Sequence, residues 1–175
     1  FILFSILINN KKVNFIYGYN PKFEYSVKFN DKLNTLLVEK NFNKNNTFIL
    51  GDFNQDISSK NGRKLRSLMK TINFKSIFSE PTRVTSSTET SIDNIFTNTI
   101  SLVDQVCSVD CPFSGHKFVF GSLNLNSPKS ESCVIFFFFL DGKKLELITH
   151  KLSPMLFAFL DSISDVNDRW AGLQK

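Results

Sequence analysis

The sequence predicts an α+β or α/β sandwich with two sheets. Three observations predict it. Short apolar runs have strand length, two longer stretches carry a helical period, and turn-forming clusters separate them. In chain order, "FILFSILI" reads as a buried strand, Asn9 and Asn10 as a turn, and "KKVNFIYGY" as the second strand of a hairpin. Pro21 ends it. From Phe23 to Glu39 the period changes, and Phe29, Leu33, Leu36 and Leu37 share one helical face. "NFNKNN" is a loop, and "TFILGDF" is a short apolar strand. Leu65, Leu68, Met69 and Ile72 mark a second amphipathic helix, with Arg63, Lys64, Arg66 and Lys70 turned outward. "FKSIF" reads as strand, "SEPTR" as turn, and "TSIDNIFT", "LVDQVCSV" and "HKFVFGSLNL" as further strands. Residues 1–125 form one unit. The "NSPKSES" linker then opens a second, 126–175, with "CVIFFFF" as strand, "KKLELITHKL" as helix, and Ser153-Pro154 as the start of another helix.

A chain of 175 residues with 42% apolar content supports a packed core rather than disorder. The net charge is +5, and its excess is local. Residues 1–125 hold 15 Lys/Arg against 10 Asp/Glu, whereas residues 126–175 hold 6 of each. A basic unit suits a polyanionic partner, and it equally describes a solvated surface. Cys107, Cys111 and Cys133 lack the spacing of a zinc site, and three free thiols suit a reducing compartment. The apolar runs fall well short of the roughly 20 residues that span a bilayer. The start at Phe1, inside an apolar run and without a signal-peptide pattern, reads as a start within a strand and hence as a fragment.

Chemistry concentrates at three places. Asp52 and Asn54 sit where a buried strand emerges into a loop, so a stiff element holds a carboxylate and an amide. The carboxylate can take a proton from water or bind a metal. Taken alone, "GDFN" reads first as a strand-to-turn signal. Asp93 lies within the apolar "SIDNIF", where an unpaired charge costs several kcal/mol. It either faces solvent on an edge strand or needs a partner. His116, in "PFSGHKFVFG", is the candidate, since a His–Asp couple fixes the tautomer and stabilises imidazolium.

With "YNP", "ILGDFN", "PTRVTSSTETSIDNIFTN" and "SGH" in this order, the chain resembles the endonuclease/exonuclease/phosphatase superfamily. More narrowly, it is similar to the endonuclease domains of non-LTR (LINE-type) retrotransposons, from about Val13 to Leu123. The resemblance implies a four-layer αββα fold, here incomplete at its N-terminal side, and Mg²⁺-dependent phosphodiester hydrolysis that nicks target DNA. By position, Asp52 would activate the water and serve as a metal ligand. Asn54 would contact the phosphate, and Asp93 would orient His116 against the transition state. Tyr19 fits the family's active-site tyrosine, with Tyr17 as the alternative. Arg83 would contact nucleic acid or hold its turn by a salt bridge, and Arg63, Lys64 and Arg66 would add to the nucleic-acid surface. The implied partners are DNA and the reverse transcriptase of the same element, in the nucleus, with no membrane and no small-molecule ligand. The tail resembles the connector before such a reverse transcriptase.

Two departures from the pattern predict an impaired enzyme. The family writes Ser-Asp-His where this chain has Ser-Gly-His, with Gly115 in the middle. The family's Mg²⁺-binding Glu lies on an earlier strand, and no residue before Tyr17 is acidic. Removing one preorganised electrostatic group costs ~10²–10³ in rate.

Overall fold

The computed structural model describes residues 1–8, 10–111, 114–124, 133–140 and 144–151. They make an α+β fold. Strands β1 (Ile2–Ile8) and β2 (Lys11–Tyr19) are followed by helix α1 (Ser26–Glu39), β3 (Thr47–Asp52) and helix α2 (Arg63–Thr71). Four strands come next: β4 (Lys75–Ser76), β5 (Arg83–Val84), β6 (Glu89–Thr90) and β7 (Asp93–Thr97). The last four are β8 (Val103–Asp110), β9 (Lys117–Leu123), β10 (Cys133–Leu140) and β11 (Lys144–Lys151). The main sheet has the order β1-β2-β3-β7-β4, and β5–β6, β8–β9 and β10–β11 are antiparallel pairs.

The two-residue period of the central strands decides the layers. Val13, Phe15 and Tyr17 of β2, Phe48 and Leu50 of β3 and Ile95 of β7 face one side. There they pack with Leu102, Val119 and Leu123 of the β8–β9 region, so two sheets share one core. Ile16, Ile49 and Phe96 face the other side and meet the helices. Phe29, Leu33 and Leu37 of α1 and Leu65 and Met69 of α2 recur every four residues, which puts each set on one stripe. The described residues thus place the helices against one face of the main sheet and the β8–β9 region against the other, in an α+β fold.

Several elements differ from expectation. Strand β1 is not buried: Leu3 and Leu7 are 44% and 70% exposed. The strand lies at the sheet's edge, and among its described side chains Phe4 and Ile6 pack against the core. "KKLELITHKL" is not a helix. Lys144–Lys151 pairs in antiparallel register with β10, and the ladder overrides the helical propensity of Lys, Leu and Glu. "FKSIF" shrinks to two paired residues, and the turn after it carries the short β5–β6 ribbon. The linker and the Ser153-Pro154 helix lie outside the described residues. No described helix is long and apolar enough to cross a membrane.

Candidate active site

The inward stripes of the central strands are apolar until their last positions. Along β3 the stripe runs Phe48, Leu50, Asp52, and along β2 it runs Phe15, Tyr17, Tyr19. Strand β7 is antiparallel to β3, so its first residue, Asp93, pairs with the last residue of β3, Asp52. Two carboxylates therefore close the same end of the inter-sheet core. Both are buried, Asp52 at 5% and Asp93 at 1% exposure.

His116 arrives from a distant part of the chain. The turn around "PTR" and the loop around "SGH" are joined by backbone hydrogen bonds. Val84 N donates to Gly115 O (2.9 Å), Lys117 N donates to Thr82 O (2.6 Å), and Arg83 forms a β-bridge with His116. Thr82 is buried, and its hydroxyl oxygen accepts the Asp93 N–H at 3.0 Å. The result is a hydrogen bond of 2.9 Å between His116 Nδ1 and Asp93 Oδ2. A ligand atom from each of Asp52, Asp93 and His116 lies within 4.8 Å of the others.

Asn54 completes the group. Its backbone takes the left-handed conformation, φ 46°, which asparagine tolerates better than most residues. That turn lets its N–H donate to Asp52 Oδ1 at 2.9 Å and its Nδ2 donate to Asn20 O at 2.8 Å. Asn20 is itself fully buried, with its N–H donating to Asp52 O and its Nδ2 donating to Phe53 O. Sequence reasoning passed over Asn20 and Thr82. Each sits inside a quoted motif, "YNP" or "PTR", and a polar residue next to a proline at a strand end was the available signal.

The electrostatics follow from burial and charge. Burial, then the neighbouring Asp93 charge, raises the Asp52 carboxyl from 3.8 to about 6. The Asn54 N–H, His116 and Arg83 pull it down, less strongly. The Asp93 hydrogen bond raises His116 above its ordinary value, against burial, so imidazolium is favoured. Tyr17 lies one residue pair deeper than Tyr19, and burial together with the fields of Asp52 and Asp93 pushes its hydroxyl to about 12. It stays protonated. Tyr19 is 40% exposed beside Asp52.

Of the basic candidates, Arg83 belongs to this site, since its charge bears on both Asp52 and His116. Arg63, Lys64 and Arg66 lie on α2, in the helix layer, and do not bear on either group. Arg66 holds the preceding loop: its Nη1 donates to Ile57 O and, at 2.8 Å, to Ser59 O.

A magnesium ion prefers oxygen ligands. Asp52 fits as one such ligand. The Asp93–His116 hydrogen bond already uses one Asp93 oxygen and one imidazole nitrogen, so the cluster works best as one free carboxylate beside a His–Asp couple. Gly115 needs no glycine-specific conformation, and a Cβ there would meet only Val84 O, at 3.3 Å. A cavity of about 390 Å³ opens beside Gly115 and His116, so a larger side chain has room.

No protein-family model and no curated protein matches the chain. The family resemblance rests on its motifs alone.

Proposed function

We propose that the chain is a DNA endonuclease domain of the non-LTR retrotransposon type, built to hydrolyse phosphodiesters and impaired in this copy. One observation carries the reading: Asp52, Asn54, Asp93 and His116, drawn from distant segments, meet at one end of the inter-sheet core. In this reading Asp52 accepts the proton of an attacking water and Asn54 holds that carboxylate in place. Asp93 fixes the His116 tautomer, and the imidazolium offers positive charge to the phosphate oxygens. Mg²⁺ at Asp52 would neutralise phosphate charge. The carboxylate set for that ion is thin, because glycine occupies position 115.

A plasmid-nicking assay with Mg²⁺ tests the reading. The chain as it stands is expected to leave supercoiled DNA intact. Robust nicking that disappears in Asp52→Ala would overturn the impairment. Gly115→Asp combined with an upstream Glu-bearing segment is expected to nick, and Asp52→Ala in that background to stop it. A folded combined protein that never nicks overturns the assigned roles.

A further inference from the structure

A cavity of about 330 Å³ lies on the Tyr19 side of the carboxylates, with Tyr19, Asn20, Pro21, Tyr25, Lys28 and Lys32 in its lining. Two of its lining residues lie next to Asp52 along the backbone: Tyr19 is the register partner of Asp52, and Asn20 N donates to Asp52 O at 2.9 Å. Its size falls within the range of about 300–1,000 Å³ typical of small-ligand sites.

The chemistry of the walls is selective. Tyr19 and Tyr25 are 40% and 48% exposed. Among the described residues neither ring packs on another ring, and neither hydroxyl has a hydrogen-bond partner. Lys28 and Lys32 are one helical turn apart on α1, and neither ammonium is in an ion pair among the described residues. Asn20, also in the lining, spends its Nδ2 on Ser26 Oγ and Phe53 O, which leaves its buried Oδ1 without a partner. Unstacked tyrosine faces and unpaired cations suit a flat, anionic ligand. Lys32 stands at the boundary with a neighbouring groove, which it lines together with Asp31 and Glu39.

We infer that this cavity is a stacking subsite for an unpaired nucleotide of a DNA strand running past Asp52. The inference takes its ligand class from the nucleic-acid reading above, but it does not depend on cleavage. A base flanked by tyrosine rings replaces the stacking that its neighbours provide in a strand, while the two lysines meet the flanking phosphates. A paired base cannot enter, because its faces and its Watson–Crick edge are already occupied.

The test is binding of a fluorescein-labelled (dT)₁₀ strand in EDTA at low salt, read by anisotropy, with a ten-base-pair duplex alongside. Tyr25→Ala is expected to weaken (dT)₁₀ binding by about tenfold or more, whereas Tyr25→Phe binds like the parent because the ring does the stacking. Duplex binding should fall much less. Lys28→Ala with Lys32→Ala should reduce the slope of log K against log salt by about 1.4, for two phosphates on a single strand. Circular dichroism melts check that the variants fold. The inference is overturned if (dT)₁₀ does not bind, if Tyr25→Ala binds like the parent, or if Tyr25→Phe is as weak as Tyr25→Ala. No metal is present, so a failure to nick plasmid leaves this result unchanged. Nicking combined with Tyr25-independent binding would sink the subsite and spare the catalytic reading.

Discussion

Gly51→Ala is expected to destabilise the protein by roughly 3 kcal/mol or more, enough to threaten folding. Strands β2 and β3 are parallel, and Gly51 faces Gly18 in their register. Gly51 has φ 152°, and a Cβ built there would lie 1.7 Å from Gly18 O and 2.7 Å from its carbonyl carbon. Both of those atoms are backbone, so no side chain can swing aside. The only relief is to part the two strands, which breaks ladder hydrogen bonds in the centre of the main sheet. The damage falls one residue before Asp52, so a surviving fold would also lose the carboxylate's position. Gly115→Ala is the control, since its Cβ meets only Val84 O at 3.3 Å. Urea unfolding should give a much lower midpoint for Gly51→Ala and a near-parental one for Gly115→Ala. A native-like midpoint for Gly51→Ala would contradict the close approach.

That glycine explains why "GDFN" was only half readable. As a turn signal it was correct, for the strand does end there. The sequence does not say that Gly51 is needed for contact with another strand, or that Phe53 is fully buried among the helices. Nor does it say that Asn54 turns back onto Asp52. "IDNIFTN" divides in the same way. Asp93 serves the site, while Asn94 Nδ2 donates to Phe78 O and Asn98 Nδ2 donates to Asn45 O, both architectural. The elements were readable because short apolar runs at β2, β3 and β7 and a four-residue stripe on each helix are local signals. The pairing partners were not. Strand β1 and the segment at 144–151 are as apolar or as helix-prone as their surroundings, and only their neighbours in the sheet decide their fate. The expected contact of His116 with Asp93 does form, but the backbone bonds between the two loops that hold it carry no sequence signature.

The metal-free protein is expected to be more stable at pH 5.5 than at pH 8, and Asp52→Asn should remove part of the difference. Asp52 has a folded value of about 6 against 3.8 for its ordinary value. The folded state therefore holds this proton more tightly, and its stabilising effect is complete below 3.8 and lost as pH rises through about 6. His116 is also raised above 6.5, so its contribution is present below 6.5 and lost as pH climbs through the folded value. Both slopes have the same sign. A shift of about two units corresponds to a few kcal/mol at most, at about 1.4 kcal/mol per unit. Between pH 5.5 and 8 only the upper end of the Asp52 interval is crossed, so its share of the loss is about 1 kcal/mol. In a chain of this size that is a fall in Tm of about 2–4 °C. Asp52→Asn keeps an oxygen to accept the Asn54 N–H at 2.9 Å and gives up only the weaker 3.4 Å contact with Asn54 Nδ2. It also removes the charge that Asp93 repels. The variant should melt higher than the parent at pH 8 and with a shallower pH slope, the remainder belonging to His116. Thermal melts in EDTA across pH 5–8.5 measure this. A variant that melts lower than the parent at pH 8 would mean that the Asp52 charge is held by attraction rather than confined by burial. The electrostatic basis for a cation at this end of the sheet would then be gone.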